Sequence, residues 1–310
     1  MGRAYVSISI VTLLWAINFK VGKIGTGEID PLFIASFRII VTGLFFYSLL
    51  KPEDRKFRRT DWRDCWPLAL TGIGLNHICF AVGISRTIPS HSAVIHALIP
   101  GFVALAAWIV LREAMAPMQI LGILVALAGT LTVVLGVPRS EFHGTIWGDL
   151  ITMGGITAFS IYTVFGRRVM SEMGSRRAVT LAFLFAAPFM IPLLVIGILR
   201  VDWAHVTWRG WSALAYMLLF ANMVAYLLHS YALSRLKAGQ VAAFTNLQPA
   251  IAIAISAASG DPTRPSLFVG AAIALAGVVL VQLRRPPPSL ECGDGLGRGH
   301  RASGHAVDAP

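Results

Sequence analysis

Acidic side chains are what this chain most lacks where it is most apolar. Only 15 of its 310 residues are Asp or Glu, and none falls inside its long uncharged windows. That argues against a membrane-embedded enzyme, which needs clustered carboxylates for a metal or a serine, histidine and acid constellation. Charge of either sign is scarce too: 13% of residues are charged against 56% hydrophobic, with a mean hydropathy of +0.70. So few charges cannot cover the surface of a soluble core of this size. Cysteine occurs three times, at Cys65, Cys79 and Cys292, an odd number without ligand spacing. This excludes a disulfide framework and a zinc site. A glycine-rich phosphate loop with its lysine is missing, so ATP hydrolysis is not expected, and no cofactor is implied.

What the chain does have is apolar length. Uncharged windows cover 4–19, 66–85, 87–111, 114–138, 150–166, 178–199, 210–234, 238–260 and 265–283, and a tenth, 31–50, is broken only by Arg38. A bilayer crossing takes about 20 residues, so ten crossings are expected, the windows at 4–19 and 150–166 borrowing from their flanks. The window at 4–19 continues into Lys20 and Lys23 and reads as a retained first span, not a cleaved signal. The net charge of +11 would point to nucleic acid if it formed one soluble patch, but the basic residues fall between windows, so no nucleic acid is expected. Instead they report orientation. One set of loops carries Arg3, the basic run from Lys51 to Arg63, Arg112, Arg167, Arg168, Arg176, Arg177, Arg235, Lys237, Arg284 and Arg285. The other carries Lys23, Arg86, Arg139, Arg200, Arg209 and Arg264. The positive-inside rule then puts both termini of a multi-pass membrane protein in the cytoplasm. The mixed-charge stretch 51–64 reads as a solvated loop, and 286–310, opened by three prolines, as a disordered cytoplasmic tail.

The chain also repeats. Ile84-Ser85-Arg86 returns as Leu233-Ser234-Arg235 and Pro100 as Pro249, each 149 positions on; Gly122 and Gly129 return as Gly270 and Gly277, 148 positions on. Five spans per half is an odd number, so the halves cross the bilayer in opposite directions. The expected fold is all-α: a polytopic membrane protein of ten transmembrane helices in two inverted five-helix repeats, 1–138 and 139–285. Such halves support alternating access around a midplane site, while two similar bundles packed as a scaffold are the structural alternative.

Several polar residues inside the spans are candidates for that site. Arg38 either snorkels to the headgroups or faces a cavity, where a carboxylate on the substrate would suit it. Asn18 follows Trp15 by one helical turn; Asn76 and His77 lie mid-span; Asn222 and Tyr226 share a face, and His77 plus 149 is Tyr226. Tyr162 belongs to the same group of embedded polar aromatics. Interhelical hydrogen bonding is the alternative use for each of them. Ser92, His96 and Pro100 line one face, and Pro100 frees the carbonyl of His96 as Pro249 frees that of Thr245, with Asn246 and Gln248 beside it. Kinks around a substrate site, or kinks serving packing alone, both fit. His77 and His96 would be the groups to couple a proton, although no embedded acid accompanies them. Gly122, Ala126 and Gly129, with Gly270, Ala274 and Gly277, form small-residue seams within the monomer or in a homodimer.

Trp15-Ala16-Ile17-Asn18-Phe19 with Lys23, Pro31 with Phe37-Arg38, Pro100 to Leu111 with Glu113, Gln119, Gly122 and Gly129, then Trp147-Gly148-Asp149, Arg167-Arg168, Pro249, Gly270 and Gly277 follow one another over about 5–283. In that order the chain resembles the drug/metabolite transporter superfamily, in its EamA-type group with two tandem EamA domains. The resemblance implies a ten-helix permease of the cytoplasmic (inner) cell membrane with both termini inside, typically exporting amino acids, metabolites or drugs. One departure is Gly260-Asp261-Pro262 where the first half has Leu111-Arg112-Glu113, which puts a symmetric gating role for that turn in doubt. The expected partners are a small-molecule substrate, the lipid bilayer, and a coupling proton or exchange solute. Efflux is the expected direction, with uptake as the alternative and a non-transporting sensor or scaffold as the rival from another class.

Overall fold

The structure is a computed structural model that describes residues 2–111, 116–135, 139–236, 238–245, 247–260 and 264–283. All the regular structure among them is helical. Helix α1 runs Gly2–Glu28 and α2 Pro31–Ser48; α3 Arg59–Leu68 and α4 Asn76–Arg86 are joined by a π-helical stretch, Ala69–Leu75. Then come α5 Pro89–His96, α6 Ile99–Leu111, α7 Pro117–Leu135, α8 Arg139–Glu172 and α9 Ser175–Arg200. A second π-helical stretch, Leu219–Val224, joins α10 Trp208–Leu218 to α11 Ala225–Arg235, and α12 Ala238–Thr245, α13 Leu247–Ala258 and α14 Pro265–Leu283 complete the chain. Seven helical segments are long and apolar enough to cross a membrane, and three more are apolar but shorter. The protein is an all-α polytopic membrane protein.

Local chemistry sets the ends. Asp30 caps α2, its carboxylate accepting the Leu32 N–H at 2.8 Å, with Pro31 at the first helical position. Gly174, at φ 88°, makes the left-handed turn between α8 and α9. The span 89–111 breaks at Ala97 and Leu98, where N–H bonds reach back only three residues, to Val94 and Ile95. Pro100 cannot donate to the carbonyl of His96, so the kink expected there is present.

Two boundaries differ from the windows. Helix α3 begins at Arg59, inside the stretch read as a solvated loop, and it buries Asp61, which the Arg177 guanidinium of α9 grips through Nη1 at 3.0 Å and Nη2 at 2.5 Å. Helix α8 reaches back to Arg139, carrying Asp149 into a candidate span. The expectation of acid-free spans is therefore corrected. Asp149 is buried against α4 and α5, accepting from Thr87 Oγ1 at 2.5 Å and facing His91 Nδ1 at 3.3 Å. The proposed tail, 286–310, lies outside the described residues.

Helix α7 packs along α14, α2 along α9, α4 along α8, and α1 along α10 and α11. The seam expected from the small residues lies within the monomer. A Cβ on Gly129 would stand 2.3 Å from the Ala274 nitrogen, and one on Gly277 would stand 2.3 Å from that of Ala126. The largest core cluster joins α1 to residues of α8, α9 and α11, while Leu44, Ile109 and Leu199 point outward, as a lipid-facing surface requires.

Candidate functional site

A cavity lies where α1, α2, α4, α5, α6, α8, α11, α13 and the π-helical stretch 219–224 meet. It holds about 520 Å³ of space not filled by atoms, the part open to the outside included.

Its floor depends on the two π-helical stretches. A π-turn shifts the N–H ladder by one residue and leaves a carbonyl for other donors. The carbonyl of Ala221 accepts the Trp15 indole N–H at 3.0 Å, and that of Gly72 accepts the Tyr226 hydroxyl at 3.3 Å. Both aromatic side chains are thereby fixed at their polar tips with their faces toward the cavity. Trp15 meets Phe159 edge-on at 5.6 Å, and His77 lies 5.2 Å from Tyr226.

Arg38 is inside, not snorkelling: it is 3% exposed and lines the cavity. Its Nη2 donates to the Oδ1 of Asn222, which is also within 3.2 Å of His77 Nε2. The Asn222 amide in turn donates to Thr42 Oγ1 at 3.4 Å. One carboxamide thus orients a cation and an imidazole. It brings no charge of its own, and among the described residues no acidic side chain lines the cavity.

The other candidates divide. Asn18, Asn76, His96 and Gln248 line the cavity with Trp15, His77 and Tyr226. His96 Nδ1 sits 2.7 Å from the Ser92 carbonyl, and its ring packs on Phe19 at 4.9 Å. Asn222 stands behind the wall, holding Arg38. Tyr162 is buried one layer away, stacked on Phe159 at 5.6 Å. Pro100 and Pro249 are buried and shape the helices beside the wall without lining it. Thr245 ends α12; its side chain, and Asn246 altogether, lie outside the described residues.

The sequence reading did not place Phe19, Phe80, Ile99, Phe159 and Ala221 in the wall. A signal existed for two of them. The 149-residue offset carries Phe80 to His229, which packs on Trp15 at 5.2 Å, and an offset of 144 carries Trp15 to Phe159 and Asn18 to Tyr162.

The EamA-like transporter family model matches the chain twice, over residues 2–135 and 146–283. Among similar proteins, YetK of Bacillus subtilis (strain 168), an uncharacterized transporter, is 23% identical over 293 residues, which cover 92% of this chain and 88% of that protein. An uncharacterized transporter of Archaeoglobus fulgidus is 25% identical, over 91% of this chain and 98% of its own. A probable terminal-alkyne amino-acid exporter of Streptantibioticus cattleyicolor is 21% identical, over 92% and 95%. A solved crystal structure superposes with a TM-score of 0.62 at 18% identity, over 91% of this chain and 97% of that one, so the fold is shared.

Proposed function

This chain belongs to the EamA-like transporter family, and we propose that it is a secondary transporter exporting a small organic solute from the cytoplasm, by alternating access between two inverted five-helix halves, 1–138 and 139–285. Ten helices cross the bilayer in this reading, the three shorter apolar ones included, with both termini cytoplasmic as the basic loops dictate.

The observation that carries the reading is a cavity where equivalent residues of the two halves meet. Trp15 touches Phe159 and His77 touches Tyr226, each pair equivalent by the sequence offsets. Gly72 and Ala221, also 149 apart, both turn a carbonyl to an aromatic donor. An inverted pair of halves has its axis at such self-pairs, and a solute held there reaches either side by rocking one half on the other. Arg38, Asn18, Asn76, His77, His96, Gln248, Trp15 and Tyr226 are the proposed contacts. Asn222 and Tyr162 position them, and Thr245, Asn246, Pro100 and Pro249 belong to the hinge. Export is favoured by the exporter among the relatives.

The test is flux of labelled solutes in liposomes holding the purified chain in one orientation. Accumulation on the side equivalent to the cytoplasm would make it an uptake permease. Tight binding with no flux of any bound solute would make it a sensor. If His77 or His96 couples a proton, abolishing the pH gradient abolishes accumulation; unchanged accumulation excludes that coupling.

A further inference from the structure

We propose that the solute is an organic monoanion, one carboxylate on an apolar or aromatic body, and that Arg38 reads its charge. This rests on the transport reading of the same cavity and narrows it to a chemical class.

The argument begins from a charge without a counter-charge. A guanidinium keeps its proton inside proteins and offers five N–H donors. Arg38 is buried, and two of its three nitrogens, Nε and Nη1, have no hydrogen-bond partner. The third meets only the neutral oxygen of Asn222. The other buried side-chain ions among the described residues have their hydrogen bonds met: Asp61 by the Arg177 guanidinium, and Asp149 by the Thr87 hydroxyl, with the His91 ring 3.3 Å away. An ion left unpaired in a span is costly and marks a solute pathway. Among the described residues no Asp or Glu lines the cavity, which leaves the missing anion to the ligand.

The remaining wall sets the rest of the ligand. Five rings, of Trp15, Phe19, Phe80, Phe159 and Tyr226, together with Ile99, face the same space. Gln248 adds a second buried donor without a partner, its Nε2. Asn18 Oδ1 is an unpartnered acceptor, but a neutral carbonyl gives an ammonium no counter-charge. Cations and zwitterions therefore lose on entry what a monoanion gains, since each would bury a positive charge beside Arg38.

Four probes of one shape separate these cases: 3-phenylpropanoate, its primary amide, 3-phenylpropylamine and phenylalanine. Binding is measured by calorimetry on the full chain in nanodiscs, in chloride-free buffer. The carboxylate is expected to bind at least tenfold tighter than each of the other three. In Arg38→Gln the preference for carboxylate over amide falls to within about threefold. Asn222→Asp provides a check if Arg38→Gln does not fold, because it sets a resident carboxylate against the guanidinium. Its expected result is an equal or higher melting temperature with carboxylate binding reduced at least tenfold. Amine, amide or phenylalanine binding as tightly as the carboxylate overturns the inference. So does absence of carboxylate binding, or chloride binding that the carboxylate does not displace. Carboxylate binding without flux keeps the inference and removes the transport reading, whereas flux of the amine without the carboxylate does the reverse.

Discussion

The seam between α7 and α14 gives the sharpest mechanical prediction. Gly129→Ala places a methyl 2.3 Å from the Ala274 nitrogen and 2.6 Å from the Gly270 carbonyl oxygen. Gly277→Ala does the same 2.3 Å from the Ala126 nitrogen and 2.6 Å from the Gly122 oxygen. Every one of these neighbours is backbone, so no side chain can swing away, and the helices must separate by about 1 Å to restore van der Waals distance. A gap of that size forfeits roughly a quarter to a half of each contact along the seam. With overpacking itself costing about 1–3 kcal/mol, each single substitution should destabilise by about 2–3 kcal/mol. The second methyl then meets helices already spread by the first. The double variant should therefore fall short of additivity by about 1 kcal/mol or more. Gly154→Ala is the control, because a Cβ there meets nothing within 4 Å and alanine favours the helix. The assay is reversible unfolding in mixed micelles followed by circular dichroism. Gly129→Ala within about 0.5 kcal/mol of the control, or strict additivity of the pair, would refute the close-backbone account.

Three further outcomes are expected. Arg177→Ala leaves Asp61 buried without its partner and frees the carbonyls of Asp54 and Lys56; a loss of about 3–5 kcal/mol is expected, with Asp61→Asn in the same chain recovering part of it in the same unfolding assay. Asp149→Ala strands the Thr87 hydroxyl and His91, costing about 1–3 kcal/mol, and hydrogen exchange should quicken over 86–91 while 203–211 is unchanged. Trp15→Phe keeps a ring against Phe159 but loses the bond to the Ala221 carbonyl, lowering stability by about 1 kcal/mol and weakening solute binding measured by calorimetry.

The membrane class and nearly all of the helices were legible in the sequence because lipid imposes a long apolar run on any crossing. Helix ends were less so. Charge stops a hydropathy window without stopping a helix, and α1 continues through Lys20 and Lys23 to Glu28, as α8 starts from Arg139. That difference hid Asp149, which sits one residue before the window at 150–166. In the site, the single offset of 149 found His77 and Tyr226 but not Trp15 and Phe159, because connections of unequal length change the offset between the first helices of the halves to 144. The π-turns at 69–75 and 219–224 left no trace in composition, since an i→i−5 ladder uses the same residues as an α-helix. Yet they supply the carbonyls that hold Trp15 and Tyr226.

The two offsets together relate the ends of the cavity as well as its centre. Adding 149 to His91 gives Gln240, and adding 144 to Tyr5 gives Asp149. At one end His91 and Thr87 hold Asp149, all three buried. At the other Gln240 donates to the Tyr5 hydroxyl at 3.3 Å, exposed, and Tyr5 packs on Phe244 at 5.7 Å. If the halves rock in the inverted-repeat reading, these contacts must break alternately. Opening the first end strips a buried carboxylate of its donors, whereas the Gln240–Tyr5 bond that opening the second breaks is exposed and neutral, of a kind worth about 0.5–1.5 kcal/mol. In that reading the two latches are unequal. The resting population should favour closure at Asp149, on the side opposite the basic loops, so that the cavity waits open toward the side from which an exporter loads.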